Sequence, residues 1–585
     1  MNRLGLHHAA ASRTRAFATL FALAFLQLSG IAAAQSEPAG AIPEPTPPGS
    51  GRILLVLPFD NRTPAVAPVS TPSSARATGS TATDSASPDS ASLDWLREAA
   101  PAILNARFTS AGLTPLTRED RIYALDHLGL PETFQPSRAT ALRIAQTLDA
   151  NFICIGDYAV VNGTLTLKAH LVDVDKLRQG PETTESGSIA KLIPLLNSLA
   201  WQLTHQVDPG FNVAEETFRA AGGNIRLDAF EQYIRGISET NVAEQLRHLK
   251  RATELSPEFT AAWLATAKLQ FRSQQYEQAA VSFGKVKRGD PNELESEFYR
   301  GLSLIFSGNY PRAAEAFAAI ARVLPLPEVV NNEAVADSRL AHDATPLFRQ
   351  AVAADPNDAD YHFNLAVSLR RHGDTAGALA ELAQSLKLHP NDSEAKALQQ
   401  NWQSGGAKGL NGPSGPNDPL ERIKRSYDGT AFRQAALMLD QVEETRLATL
   451  PAAERAARLD KSAHEKLDRG LLLEAERSYQ AALAADTGNA EAHAGLAQVR
   501  ERAGDSDAAR KEAKAALDRQ PNLDAYMVLA RLDLAANNLP QAREEAAQAV
   551  KLDGNNRAAR ELRKAIDTRI ESVPAGENKT GPAQP

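Results

Sequence analysis

The chain has 585 residues, of which 43% are hydrophobic and 23% charged. This composition excludes a collagen-like or wholly disordered protein. The formal net charge of −8 shows no general nucleic-acid footprint, and a single cysteine excludes an intrachain disulfide framework or a cysteine-based zinc cluster. At roughly 150 residues per domain, the length indicates three or four domains.

Residues 1–34 have the layout of a secretory signal peptide. Arg3, Arg13 and Arg15 supply a basic start, residues 16–33 are uncharged and mostly apolar, and an Ala-x-Ala site precedes Gln35. The alternative is an N-terminal membrane anchor, but the apolar stretch is short for a span. Because no cysteine follows it, a lipoprotein anchor is excluded. We therefore expect a periplasmic or secreted protein. A Pro-rich linker is expected to follow the signal peptide over residues 35–51.

Residues 52–208 mix strand and helix signals, which predicts a small α/β domain. The apolar run 52–59 is a strand candidate, and Thr117 and Ser137 are placed to cap two helices. Asn162-Gly163 between two apolar runs predicts a hairpin. Residues 63–92 are almost wholly Ser, Thr, Ala, Pro and Asp, which predicts a disordered insert. Cys154 lies between two isoleucines, so we expect a buried thiol rather than a redox site.

The order of these segments resembles the TolB-like amino-terminal domain, which is grouped with curli-secretion-lipoprotein-like domains. The matching stretches are residues 55–61, Trp95-Leu96, residues 145–156 and the hairpin with residues 171–173. The resemblance covers about 150 residues and implies an envelope protein whose α/β domain precedes helical repeats. The insert that follows Asn61 departs from the family pattern.

From residue 226 onward no strand is predicted, and the chain repeats with a period of 34 residues. Pro257, Pro291 and Pro325 are each 34 apart, as are Phe283 and Phe317. The spacing resembles the tetratricopeptide repeat, a helix-turn-helix unit. The predicted repeats are 224–257, 258–291, 292–325, 326–356, 357–390, 456–487, 488–521 and 522–554.

These repeats form two predicted blocks of an α-solenoid. The first block is 224–400, followed by a Gly/Pro linker at 401–419. Residues 420–570 contain a helical segment outside the repeat register, the second block and a capping helix, and residues 571–585 form a disordered tail. The predicted fold class is thus a small α/β domain followed by predominantly α structure.

Sequence motifs of catalysis and of phosphate or metal binding are missing from the chain, so we predict a non-enzyme without cofactor or metal. Gly405–Gly409 resembles a phosphate loop only in composition, and it lies in the linker with no strand before it. No later window approaches roughly 18 uninterrupted apolar residues, so we expect no membrane span after signal cleavage. The charge balance predicts no nucleic-acid partner.

The resemblance to tetratricopeptide repeats implies a concave groove lined by fixed positions of each first helix. An Asn at the sixth position offers a donor and an acceptor, enough to clamp an extended peptide backbone. The alternative is that such Asn residues tie adjacent repeats together, and that the groove phenylalanines pack between repeats. The candidate groove residues are Lys268, Phe271, Arg272, Phe298, Phe306, Asn332, Asn364, Arg370 and Arg371.

The leading functional hypothesis is an exported scaffold that binds a protein or peptide through these grooves. One alternative is an envelope ligand sensor or carrier whose α/β domain binds a small molecule and whose repeats relay to a partner. Another is an envelope assembly factor, which rests on the resemblance alone. We expect a partner segment with acidic and apolar residues to bind across 258–390, because the inner face of 456–554 is more polar.

The signal peptide gives the first testable prediction. Cleavage after Ala34 should leave Gln35 as the first residue of the mature protein, because the small residues before it match the signal peptidase site. N-terminal sequencing of the exported protein checks this. Recovery of Met1, or membrane association that resists carbonate, would contradict it.

Overall fold

A computed structural model describes residues 52–64, 93–131, 137–405 and 419–572. The predicted signal peptide, the Pro-rich linker, nearly all of the insert at 63–92, most of the linker at 401–419 and nearly all of the tail lie outside the described residues. The predicted fold class is confirmed: a small α/β region precedes helical hairpins, and the described residues after 226 contain no strand.

The α/β region is a sheet with helices between its strands. Its strands are β1 (Ile53–Val56), β2 (Asp60–Asn61), β3 (Thr114–Pro115), β4 (Phe152–Val161), β5 (Thr164–Asp173), β6 (Arg178–Gln179) and β7 (Thr183–Ser188). Its helices are α1 (Leu96–Ser110), α2 (Arg118–His127), α3 (Arg138–Thr147) and α4 (Leu192–Val207), the last preceded by a 3₁₀ turn at Ile189–Lys191.

The sheet has the order β3-β1-β4-β5-β6, with β2 beside β4 and β7 beside β5. β1 runs parallel to β3 and β4, whereas β4 and β5 form the antiparallel hairpin predicted from Asn162-Gly163. Both turn residues have positive φ, at 51° and 75°, as a tight two-residue hairpin requires. Thr117 and Ser137 cap α2 and α3 as predicted. The strand β7 carries no apolar run, which is why the sequence did not predict it.

Helical hairpins follow from residue 227. They are preceded by a short helix, α5 (Glu215–Ala220), and are α6 (Leu227–Ser238) with α7 (Val242–Leu255), α8 (Thr260–Arg272) with α9 (Tyr276–Phe283), α10 (Glu293–Phe306) with α11 (Tyr310–Ala321), α12 (Pro327–Arg339) with α13 (Thr345–Ala354), and α14 (Ala359–Arg371) with α15 (Thr375–Leu388). The later helices are α16 (Ser393–Gln403), α17 (Gly429–Ala448), α18 (Ala452–Asp468), α19 (Leu472–Ala485), α20 (Ala490–Ala503), α21 (Ser506–Leu517), α22 (Leu523–Ala535), α23 (Leu539–Leu552) and α24 (Arg557–Ser572).

Small residues let the two helices of a hairpin approach closely. Ala279, Ala313 and Ala378 are fully buried. A Cβ added at Gly301 would stand 2.7 Å from the ring of Phe317, so no larger side chain fits there without displacing that ring. The repeat pattern read from the sequence therefore reports the helix contacts themselves.

The described residues form two compact units. One unit comprises residues 263–438, and the other combines residues 52–262 with residues 439–572. These units differ from the predicted blocks at two places. Residues 224–262 were predicted to belong to the first repeat block and residues 420–438 to the segment that contains the second. The rings of Phe230 on α6 and Trp95 beside α1 lie 6.3 Å apart, edge to face, which joins the first hairpin to the α/β region.

The second unit holds its α/β region against the later repeats through a buried carboxylate. Glu476 on α19 accepts the backbone N–H of Ala214 at 2.9 Å and the guanidinium of Arg500 at 2.8 Å. Arg477 donates to the carbonyl of Ala111 at 2.8 Å. The contacts of Glu476 with Ala214 and of Arg477 with Ala111 join residues that are 262 and 366 positions apart in the chain, and nothing in the local pattern of either segment predicts them.

Cys154 gives a prediction for this region. Its side chain is fully buried on β4, and burial raises the pKa of the thiol to about 12. Because the thiolate is the reactive form, we expect no reaction with a thiol reagent at pH 8 in the folded protein, and one equivalent after denaturation. Absorbance of the released chromophore measures this, and rapid labelling of the folded chain would contradict the prediction.

Candidate functional site

An extended stretch of the chain lies along the first unit's repeats. Residues 419–428 form no helix or strand, and α17 begins only after Asp428, whose carboxylate accepts the N–H of Ala431 at 3.0 Å. The sequence predicted a helix that begins at Leu420. This prediction is wrong for residues 420–428. We call residues 419–427 the groove segment, and the surface of α10, α12 and α14 that contacts it the groove.

Two asparagines bind the backbone of the groove segment in the same way. Asn364 on α14 accepts the N–H of Arg422 at 2.6 Å and donates to its carbonyl at 2.8 Å. Asn332 on α12 accepts the N–H of Lys424 at 2.9 Å and donates to its carbonyl at 2.8 Å. The two bound residues are two positions apart, which matches the period of an extended chain. Each amide thus replaces the partner that a neighbouring strand would supply.

A third asparagine connects the two repeats behind this contact. Asn331 donates to the carbonyl of Arg422 at 3.1 Å and accepts from the Asn364 amide at 2.8 Å. All three asparagines are fully buried. A buried amide without a partner costs about 1–3 kcal/mol, so the hydrogen bonds to the groove segment stabilise these buried groups. Asn364 therefore both ties the repeats together and binds the backbone.

Glu421 enters a cationic pocket at one wall of the groove. Its carboxylate contacts the guanidinium of Arg371 and the hydroxyl of Ser338, and its second oxygen lies 3.0 Å from Arg339 Nη2. The Glu421 side chain is wholly buried. Arg371 also donates to the carbonyl of Pro419 at 2.8 Å. Two cations thus face one carboxylate, and removing one partner of a buried ion pair costs about 3–5 kcal/mol.

The opposite wall is acidic and receives the intervening basic side chains. Lys424 Nζ lies 2.8 Å from Asp358 and 2.7 Å from Asp360. Arg422 contacts Asp360 at 3.1 Å and Asp392 at 2.6 Å. Burial acts to raise the pKa of Asp360, but the two cations outweigh it and hold that pKa below its ordinary value. Asp360 therefore stays ionised beside its two cationic partners.

Aromatic and aliphatic contacts complete the groove. The Arg422 guanidinium lies 3.7 Å from the centre of the Phe363 ring, a cation–π contact. Ile423 packs against buried side chains of α12 and α14. At the far end, Tyr427 lies 5.7 Å from Phe298 on α10. The segment therefore runs from α14 through α12 to α10, opposite to the order of the repeats.

The candidate residues fall into two groups. Some contact the groove segment, and these are Asn332, Asn364, Arg371, Phe298 and Phe306, whose ring lies 5.3 Å from the Arg425 guanidinium.

The other candidates have different surroundings. Lys268 pairs with Glu295 at 2.6 Å, and Phe271 stacks within a cluster of rings that includes Tyr299. Arg272 is exposed at the end of α8. Arg370 points toward α15, where it donates to Thr375 at 3.1 Å.

Sequence reasoning did not find several groove residues, nor the segment itself. Asn331, Ser338, Arg339, Asp358 and Asp392 all contact it. The available signal was the alternation in residues 421–424, where an acid and an aliphatic residue alternate with two cations. The same residues are good helix formers, and the sequence predicted a helix there.

The second repeat block differs from the first on its inner face. Glu501 forms two bonds of 2.6 Å with Arg531, and Glu491 accepts the Asn522 amide at 2.9 Å. Arg502 donates to the carbonyl of Leu467 at 2.6 Å. The polar groups of this face are therefore paired with one another.

Two properties of the described residues bear on function. In the described ranges, no three His, Cys, Asp or Glu side chains lie together as metal coordination would require. None of the described helices combines the length and the apolarity that crossing a membrane demands.

Family models for the tetratricopeptide repeat match residues 337–401 and 461–524. This chain contains tetratricopeptide repeats. The first matched range includes Asn364 and Arg371, and so covers part of the groove. Proteins with these repeats form scaffolds for protein–protein interaction. No curated protein matches the chain.

Three solved structures that match parts of this chain are two tetratricopeptide-repeat proteins and one domain of another type. YrrB, described as a tetratricopeptide-repeat protein with an unusual peptide-binding site, is 17% identical over 30% of this chain and 92% of its own, with a TM-score of 0.28. The first such domain of Spaghetti, bound to an HSP90 peptide, is 20% identical over 20% and 96%, with a TM-score of 0.19. The LpoB C-terminal domain from Salmonella enterica is 18% identical over 25% and 87%, with a TM-score of 0.16.

The asparagine contacts predict slow hydrogen exchange in a segment without regular structure. The amides of Arg422 and Lys424 should be protected in the folded protein. Asn364→Ala should speed exchange at Arg422, and Asn332→Ala at Lys424, by at least about tenfold, since each removes a buried acceptor. Site-resolved mass spectrometry measures this.

The matched control is Asn401→Ala, because Asn401 is exposed on α16. It should leave both amides protected. Exchange at the unprotected rate in the wild-type chain would show that the groove segment is not held in solution.

Proposed function

We propose that this protein is an exported, non-enzymatic scaffold whose first repeat block binds an extended segment of a partner protein in the groove. The observation that carries the proposal is the pair of two-way contacts from Asn332 and Asn364 to alternate backbone units. Such contacts recognise an extended main chain whatever its side chains are, which is the requirement of a peptide-binding site.

The charge arrangement supports the same proposal. Arg371 and Arg339 form a pocket for a carboxylate, and Asp358 and Asp360 face a cation. A partner segment would therefore need an acidic residue at the position of Glu421 and basic residues at the positions of Arg422 and Lys424. The sequence predicted acidic and apolar partner residues, and the acidic wall adds a requirement for basic ones.

Location and the α/β domain complete the proposal. The predicted signal peptide supports export to the periplasm or beyond, and the TolB-like resemblance supports an envelope role for residues 52–208. The α/β domain is proposed as the part that positions the repeats within the envelope.

A binding experiment on the full chain tests the peptide-binding function. Glu421→Arg should repel the groove segment from Arg371 and Arg339 and free the groove. A labelled synthetic peptide with the sequence of residues 419–427 should then bind, as measured by fluorescence anisotropy. Adding Asn332→Ala and Asn364→Ala should weaken binding by at least about tenfold, because four backbone hydrogen bonds are lost.

The matched control is the neighbouring pair Arg370 and Arg371. Arg370→Ala should leave the peptide affinity unchanged, since that side chain faces α15, whereas Arg371→Ala should reduce it. Circular dichroism and the melting temperature check that each variant is folded. If no folded variant binds the peptide, the groove does not bind peptides and the proposal is wrong.

A further inference from the structure

We propose that the groove segment is an intramolecular ligand, and that the partner is a segment with the alternation acidic, basic, aliphatic, basic that binds by displacing residues 419–427. This inference rests on the proposed peptide-binding function and deepens it. It adds the side-chain chemistry of the partner and the displacement of residues 419–427 that binding requires.

The side-chain pattern follows from three separate sets of contacts. The carboxylate at position 421 is wholly buried between Arg371, Arg339 and Ser338, so an uncharged or basic residue there would remove the negative charge that two buried cations face. Position 423 packs against apolar side chains from two repeats.

Positions 422 and 424 face the acids of the other wall. A cation at position 422 also lies over the Phe363 ring, and one at 424 lies 4.9 Å from the centre of the Tyr361 ring. Each cation therefore pairs with a carboxylate and contacts an aromatic ring at the same time. The groove reads four consecutive residues on two sides, and reversing any charge would set like charges against each other.

The local sequence of the segment conflicts with its conformation, which favours displacement. Leu, Glu, Arg, Ile and Lys at 420–424 include the better helix formers, and α17 starts a few residues later. The extended form is therefore held by the groove rather than by local preference. A released segment can regain helical hydrogen bonds, so leaving the groove has a compensating gain.

The contacts of the segment are also of a kind that another peptide can replace. They are mainly backbone hydrogen bonds and ion pairs, while Arg425 and Ser426 are exposed. Because the segment is part of the same chain, its effective concentration is of the order of millimolar. A partner must exceed this competition, so the affinity of the intact chain is lower than that of an opened groove.

The experiment compares the wild-type chain with Glu421→Arg, using an isotopically heavy synthetic peptide with the sequence of residues 419–427. We expect the peptide to bind Glu421→Arg at least about tenfold more tightly than wild type, because the internal competitor is removed. In the wild-type chain, saturating peptide should abolish the exchange protection of the chain's own Arg422 and Lys424 amides. The isotope label separates the two copies of the sequence by mass.

Three peptide variants test the partner chemistry. Replacing the residue equivalent to Glu421 with Lys, or that equivalent to Lys424 with Glu, should abolish binding to Glu421→Arg at the same concentrations. Replacing the residue equivalent to Ser426, which is exposed, with Ala should not alter it. Lys424→Glu in the chain is a second way to open the groove if Glu421→Arg does not fold, since Asp358 and Asp360 would repel it.

The outcomes separate this inference from the proposed function. Binding with equal affinity to both chains, or binding that leaves the chain's own amides protected, would overturn displacement while peptide binding stands. Equal affinity for the charge-reversed peptides would overturn the side-chain pattern. A wild-type dimer in sedimentation velocity that exchanges segments between copies would make a second chain the occupant and overturn the intramolecular assignment. Absence of binding to every folded chain would remove the proposed function itself.

Discussion

The first unit depends on the need of three buried asparagine amides for partners. Asn331, Asn332 and Asn364 lie on neighbouring helices with no exposed surface. An amide in such a place must find donors and acceptors, because water is excluded and an unmet polar group is costly. Asn331 and Asn364 bond to each other. The backbone of an extended chain in the groove supplies further partners to all three amides, and the position of residues 419–427 follows from this constraint.

Charge then fixes which chain can occupy the groove. The carboxylate pocket and the acidic wall lie on opposite sides of the same backbone, so the successive residues Glu421 and Arg422 meet opposite charges. This arrangement needs an extended ligand, since only a period of two residues sends successive side chains to opposite sides. A helix in the same place would put residues 421 and 424 on one face, where one of them would meet its own charge.

The two repeat blocks use the same hairpins for different purposes. In the first, polar residues on the inner face contact an extended chain. In the second, acids and bases of successive helices pair with one another, and Glu476 and Arg477 bind the backbone near α5 and α1. The hairpin supplies the scaffold through its small crossing residues, whereas the few polar substitutions on its surface decide what each block contacts. The resemblance of a repeat to its family therefore predicts its fold better than its partner.

The sequence alone determined the local structure and the repeat architecture. Caps at Thr117 and Ser137, the turn at Asn162-Gly163 and the 34-residue period each depend on contacts between near neighbours, so they are visible in a short window. It also brought Asn332, Asn364 and Arg371 into one candidate groove, although whether a partner binds there stays a prediction. The location of residues 420–428 could not be found this way, because their helix-forming side chains outweigh a weak alternation in any local reading. Only the tertiary structure decided it, since the groups that hold Glu421, Arg422 and Lys424 extended lie about 30 to 90 residues away in the chain and become neighbours only when the repeats have stacked.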